Sequence, residues 1–73
     1  MKKILAKVEA RYGVKLPRKV VAVDFGHRSD LYVRFKHVEK PNGEATKDGL
    51  AIFFYENGDN LVGLELLDVE AFN

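Results

Sequence analysis

The run Asp48-Gly-Leu-Ala-Ile-Phe-Phe-Tyr-Glu-Asn-Gly-Asp-Asn-Leu-Val-Gly-Leu-Glu-Leu-Leu-Asp68 decides the fold class of this chain. Two apolar, β-prone segments flank a turn cluster built on Asn57-Gly58. That dipeptide marks a β-hairpin because both central residues of the tight turn need positive φ. In the first segment Leu50, Ile52 and Phe54 alternate with Ala51, Phe53 and Tyr55, so both faces of that strand are apolar. In the second, Val62, Leu64 and Leu66 oppose Gly63 and Glu65.

Moving upstream, Leu31 to His37 reads as a strand with one buried and one solvated face, Leu31, Val33 and Phe35 alternating with Tyr32, Arg34 and Lys36. Val20 to Phe25 is a further strand, with Gly26-His27-Arg28-Ser29-Asp30 as the turn between the two. Val38 to Lys47 is polar and carries Pro41, Asn42 and Gly43, which predicts the longest and most mobile loop. At the N-terminus Ile4, Leu5, Val8 and Tyr12 recur at helical spacing, while Lys3, Lys7 and Arg11 line another face. Gly13 stands where a C-terminal cap belongs, Leu16 is the expected anchor of the connector, and Pro17 follows. The tail after Asp68 is expected to make one helical turn and bury Phe72. The expectation is therefore an α+β fold, a single domain over residues 1–73, with helix 2–12 packed on a four-stranded antiparallel β-meander spanning 19–67. Its expected core is Leu31, Val33, Phe35, Leu50, Ile52, Phe54, Val62, Leu64 and Leu66, which leaves Phe53, Tyr55 and Tyr32 on the second face.

Composition narrows the function classes. With 73 residues and no cysteine, stability must come from a dense core, without disulfides or a thiolate zinc site. No stretch approaches the roughly 20 apolar residues that span a bilayer, and the N-terminal apolar run breaks at Lys7, so the expected location is cytoplasmic. One Met, no Gln and a charged share of 32% lean towards a thermophile-like composition. The net charge of +1 conceals an asymmetry: residues 1–40 hold eleven basic and four acidic side chains, residues 41–73 one basic and seven acidic. Such polarity marks either an anion-binding surface or two charge sets that pair across strands.

Over residues 20–70 the chain resembles the small bacterial and archaeal family catalogued as domain of unknown function 2283. The resemblance is carried by Phe25, by Asp30 followed by Leu31-Tyr32-Val33-Arg34, by Asp48-Gly49-Leu50, by the Asn57-Gly58 turn and by Leu61-Val62-Gly63-Leu64-Glu65-Leu66-Leu67-Asp68. The chain departs from the family pattern by one residue fewer before Leu31, one more at Asp59-Asn60, and aromatics at Phe53 and Tyr55 where the family usually carries acids. The helix looks like an addition to the family core. Some family members look like the small partner of a compact toxin-like protein, so the resemblance implies an antitoxin-like binding role.

Few residues invite a chemical role. Asp24, His27 and Asp30 recur around a turn and form a candidate metal set, although turn chemistry alone explains them. His37 stands beside Glu39 at a strand end and reads as solvated. Ser29 is the sole serine, with His27 and His37 as its only possible bases, and no strained nucleophile turn surrounds it. Glu65 beside Gly63 is the first carboxylate to inspect for acid–base work. The competing reading is that Gly63 makes room for an aromatic neighbour and Glu65 pairs with Arg34 or Lys36. Lys3, Lys7, Arg11, Lys15 and Arg18, with Lys2 and Lys19 beside them, form a basic strip able to meet phosphates. The residues thus favour an uncharacterised non-catalytic interaction module without cofactor or metal. It is expected to act as a homodimer through Phe53, Tyr55 and Tyr32, with a further small protein partner as an option. Nucleic-acid binding through the basic strip is the alternative.

Overall fold

The computed structural model describes residues 2–26 and 29–72, which form one N-terminal helix and one antiparallel sheet. Helix α1 (Lys2–Tyr12) ends at Gly13, whose N–H bonds the Glu9 carbonyl at 2.9 Å and whose φ of 65° turns the Val14 N–H back to the same carbonyl at 3.3 Å. The Glu9 carboxylate then accepts the Leu16 N–H at 2.7 Å, and this bond turns the connector back so that Leu16 is buried. Five strands follow: β1 (Ala22–Phe25), β2 (Leu31–Arg34), β3 (Asn42–Ala45), β4 (Ala51–Glu56) and β5 (Asn60–Leu66). A 3-10 turn, Val69–Phe72, closes the described chain and buries Phe72 as expected.

The α+β class stands, but the four-stranded meander is corrected. The sheet has five strands in the order β1-β2-β5-β4-β3, every neighbouring pair antiparallel. The extra strand is β3, inside the segment read as a polar loop. All four of its residues are exposed, so it carries no alternation of burial and its strand character comes only from pairing with β4. After β2 the chain crosses to the far edge and returns through two hairpins, which places β5 beside β2. The β4–β5 hairpin turns on Asn57 and Gly58 with φ of 52° and 90°, as its dipeptide demands.

A second correction concerns the face of β4. Register pairs Ala51 with Leu66 and Phe53 with Leu64, and pairs those two leucines with Leu31 and Val33 on β2. Ala51 and Phe53, not Ile52 and Phe54, therefore share the buried face, and Leu31, Val33, Ala51, Leu64 and Leu66 have no solvent exposure at all. Helix α1 covers this face with Val8, Leu5 and Tyr12, the Tyr12 ring standing edge-on to Phe53 at 5.6 Å. Tyr55 and Leu50 pack at the margin of the same cluster. Beyond Phe54 the pairing slips, so that Tyr55 meets Leu61 and Val62 is bulged; Val62 is buried but lies outside the main cluster.

The helix is tied to the sheet through one carboxylate. Asp48, in the β3–β4 turn, accepts from the Thr46 hydroxyl and from the Leu50 N–H at 3.0 Å. It also takes Arg11 Nε at 3.0 Å and the Tyr12 hydroxyl at 3.0–3.1 Å. These donors, the Thr46 hydroxyl first and the Leu50 amide next, hold the Asp48 carboxyl far below the usual carboxylate range. Burial, with the Asp48 charge adding to it, pushes the Tyr12 phenol up.

Two outcomes follow from this packing. Phe53→Ala is expected to cost about 3–5 kcal/mol, as for a buried Phe deletion, while Phe54→Ala costs roughly 1–2 kcal/mol because that ring is only half-buried; urea unfolding of both variants compares them, and equal losses would refute the assigned face of β4. Because the folded Asp48 pKa lies below its unfolded value, its stabilisation is present above the ordinary carboxylate pKa of about 4 and drains away as pH falls below it. The gap in Tm between the wild-type chain and Asp48→Asn should therefore be widest near neutral pH and shrink in acid. A pH-independent gap would remove Asp48 from that role.

Candidate functional site

The face of the sheet away from α1 has no cover among the described residues. Register places Ala22, Arg34, Gly63, Phe54 and Gly43 in one row across it. The next row is Asp24, Tyr32, Glu65, Ile52 and Ala45. Tyr32 and Phe54 stack at 5.2 Å between centroids with 21° between planes. The stack forms across Gly63: a Cβ there would stand 3.2 Å from Tyr32 Cε1 and 3.5 Å from Phe54 Cβ. On the other side of Phe54, a Cβ at Gly43 would stand 2.9 Å from its Cε1. Phe54 thus lies in a trough between two glycines, with Ile52 beside it. Gly63 makes room for Tyr32, as one reading of the sequence had it, with Phe54 as the second ring.

Charge on this face is arranged around the rings. The Arg34 guanidinium lies 4.9 Å from the Tyr32 centroid, and its buried Nε–H has no acceptor among the described residues. Glu65 forms no ion pair among the described residues, so the expected pairing of Glu65 with Arg34 or Lys36 is corrected: Lys36 bonds Glu56 at the rim, and Arg34 stacks instead. Both ion pairs among the described residues, Lys36–Glu56 and Arg11–Asp48, join a base of the first forty residues to an acid of the remainder. Part of the charge asymmetry is accordingly internal pairing.

Of the residues expected at an interface, Tyr32 lies on the uncovered face, Phe53 is buried beneath α1 at 6% exposure, and Tyr55 borders the core. Ile52 and Phe54 occupy the place that Phe53 and Tyr55 were expected to fill. Of the basic strip, Lys3, Lys7, Lys15 and Arg18 are exposed, whereas Arg11 is held by Asp48 and lies 5.5 Å from the Phe72 ring centroid. Asp24 is exposed and Asp30 half-buried, while His27 falls outside the described residues. Among the described residues no three His, Asp or Glu side chains converge as a metal set would. Ser29 serves the backbone, its carbonyl accepting the Val69 N–H at 2.9 Å, and His37 is exposed. No helix among the described residues is long and apolar enough to cross a membrane.

A side chain at position 63 would displace the rings without touching the covered core. Gly63→Val is expected to weaken the near-ultraviolet circular dichroism of the tyrosines, keep the far-ultraviolet spectrum and cost about 1–3 kcal/mol. An unchanged aromatic signal would contradict the stack.

Comparison of the chain with protein-family models, with curated proteins and with solved structures finds no match.

Proposed function

We propose that this chain is a non-catalytic protein-interaction module that works as a homodimer and meets a further protein through the uncovered face of its sheet. The observation that carries this reading is the Tyr32–Phe54 stack, laid with Ile52 and Arg34 on a face that none of the described residues covers. Half-buried aromatics beside an arginine are the residue types that dominate binding energy at protein interfaces. Two glycines seat the Phe54 ring, which lowers the ordering cost of presenting it to a partner. The resemblance to the 2283 family, some of whose members look like the small partner of a toxin-like protein, favours the same reading.

Nucleic-acid binding is the second reading. It is favoured by the exposure of Lys3, Lys7, Lys15 and Arg18 along α1 and its connector, with no ion pair to any of them among the described residues. The two readings differ in salt dependence, since phosphate contacts weaken steeply as counterions are added while an apolar aromatic surface tolerates salt.

Tagged wild-type chain and the Phe54→Asp and Lys3→Glu/Lys7→Glu variants, passed through native lysate with and without nuclease, separate them. A stoichiometric protein retained by the wild type after nuclease and high salt, and lost from Phe54→Asp, is the expected result. Retention only of nucleic acid, lost from the double lysine variant, would replace the first reading with the second.

A further inference from the structure

The two edges of the sheet are unlike. Strand β3 presents Asn42, Gly43, Glu44 and Ala45 just after Pro41, all four strand residues exposed, which is how proteins blunt an edge against pairing. Strand β1 is as short and also carries one exposed acid, Asp24, but it has no proline and is otherwise apolar. From Val20 to Phe25 the sequence is Val-Val-Ala-Val-Asp-Phe, and its outer side is unpaired. Phe25, at the end of that edge, is 76% exposed, the largest exposure of any bulky apolar residue described, and Val21 is 36% exposed. In the β1–β2 ladder Gly26 N–H bonds the Asp30 carbonyl, so the alternate residues Asp24 and Ala22 point their backbone groups towards β2. Those of Val23 and Phe25 are left facing outward.

We infer that two copies of this chain pair antiparallel along β1, with Val23 opposite Val23, to make one continuous ten-stranded sheet. This rests on the homodimer reading above and gives that dimer its interface. The register is self-complementary. It brings the exposed Phe25 of each copy to the Val21 end of the other, where the ladder between copies stops because the Val21 N–H is already given to the Arg34 carbonyl at 2.8 Å. It also sets Asp24 opposite Ala22 of the other copy, and Ala22 already lies opposite Arg34. Across the uncovered face the order becomes Arg34, Ala22, then Asp24 of the second copy. Strands about 4.8 Å apart leave roughly 10 Å between the Arg34 and Asp24 backbones, with only a methyl group between them. A guanidinium and a carboxylate span that gap. Arg34 is the residue whose buried Nε–H has no acceptor, and Asp24 is exposed with no ion pair among the described residues. The two-fold axis would supply each with the other, twice.

Sedimentation velocity over a concentration series tests this, with circular dichroism verifying that each variant is folded. Wild type is expected to dimerise, and Phe25→Lys, a change at an exposed position, to weaken dimerisation at least about tenfold. Asp24→Lys and Arg34→Glu should each be monomeric alone, because every 24–34 contact then joins like charges. Mixed together they should dimerise, because both contacts then join opposite charges. A mixture that stays monomeric, or Phe25→Lys dimerising like wild type, overturns the edge pairing. If dimerisation is lost in Phe54→Asp but kept in Phe25→Lys, the copies meet face to face; the homodimer reading then stands and the edge proposal falls. A wild-type chain that remains monomeric at the highest concentration overturns both.

Discussion

One short helix can cover only one side of a five-stranded sheet, and most of this molecule follows from that constraint. The side it covers is set by β2 and β5, where Leu31 and Val33 meet Leu66 and Leu64 with no solvent exposure. These two strands lie next to each other although some thirty residues separate them in sequence. Their pairing joins a local hairpin, β1–β2, to a local three-stranded unit, β3–β4–β5. Once those leucines are placed, β4 has no choice: Phe53 goes under the helix, and Phe54 goes to water or to a partner.

Much of the architecture was legible in the residues, and the failures are instructive. Helix α1 has a clean apolar stripe and a glycine cap, and the Asn57-Gly58 turn carries positive φ at both residues as its chemistry requires. The orientation of β4 was not legible from β4 itself. Leu-Ala-Ile-Phe-Phe-Tyr has no polar residue to mark a face, and a period of two is then silent about which set is inside. The information sat in its neighbour, where Gly63 and Glu65 oppose Leu64 and Leu66, and in the bulge at Val62, which breaks the simple extrapolation from one end of the strand to the other. Strand β3 was hidden for another reason. An edge strand with every residue exposed has loop composition, and only the partner's hydrogen bonds make it a strand.

The candidate site suffered from the same ambiguity. The expectation of a second apolar face was sound in kind, and Tyr32 belongs to it, but its other members are Phe54 and Ile52. The signal that would have found them is the pair of glycines at 43 and 63. Each removes a side chain where a large ring needs to lie flat, and the register brings both beside position 54. Asp48 was missed as well. In sequence it reads as an ordinary turn acid before Gly49, and its tie to Arg11 and Tyr12 spans more than thirty residues.

The blunt edge at β3 has a consequence for assembly as a whole. A sheet that can be extended at both sides adds copies without limit, and an adhesive strand at each end is the geometry of a fibre. Here Pro41, Glu44 and full exposure close one side. A copy paired along the other side, as proposed above, would consume the edge left for growth, so edge-to-edge association would stop at two copies.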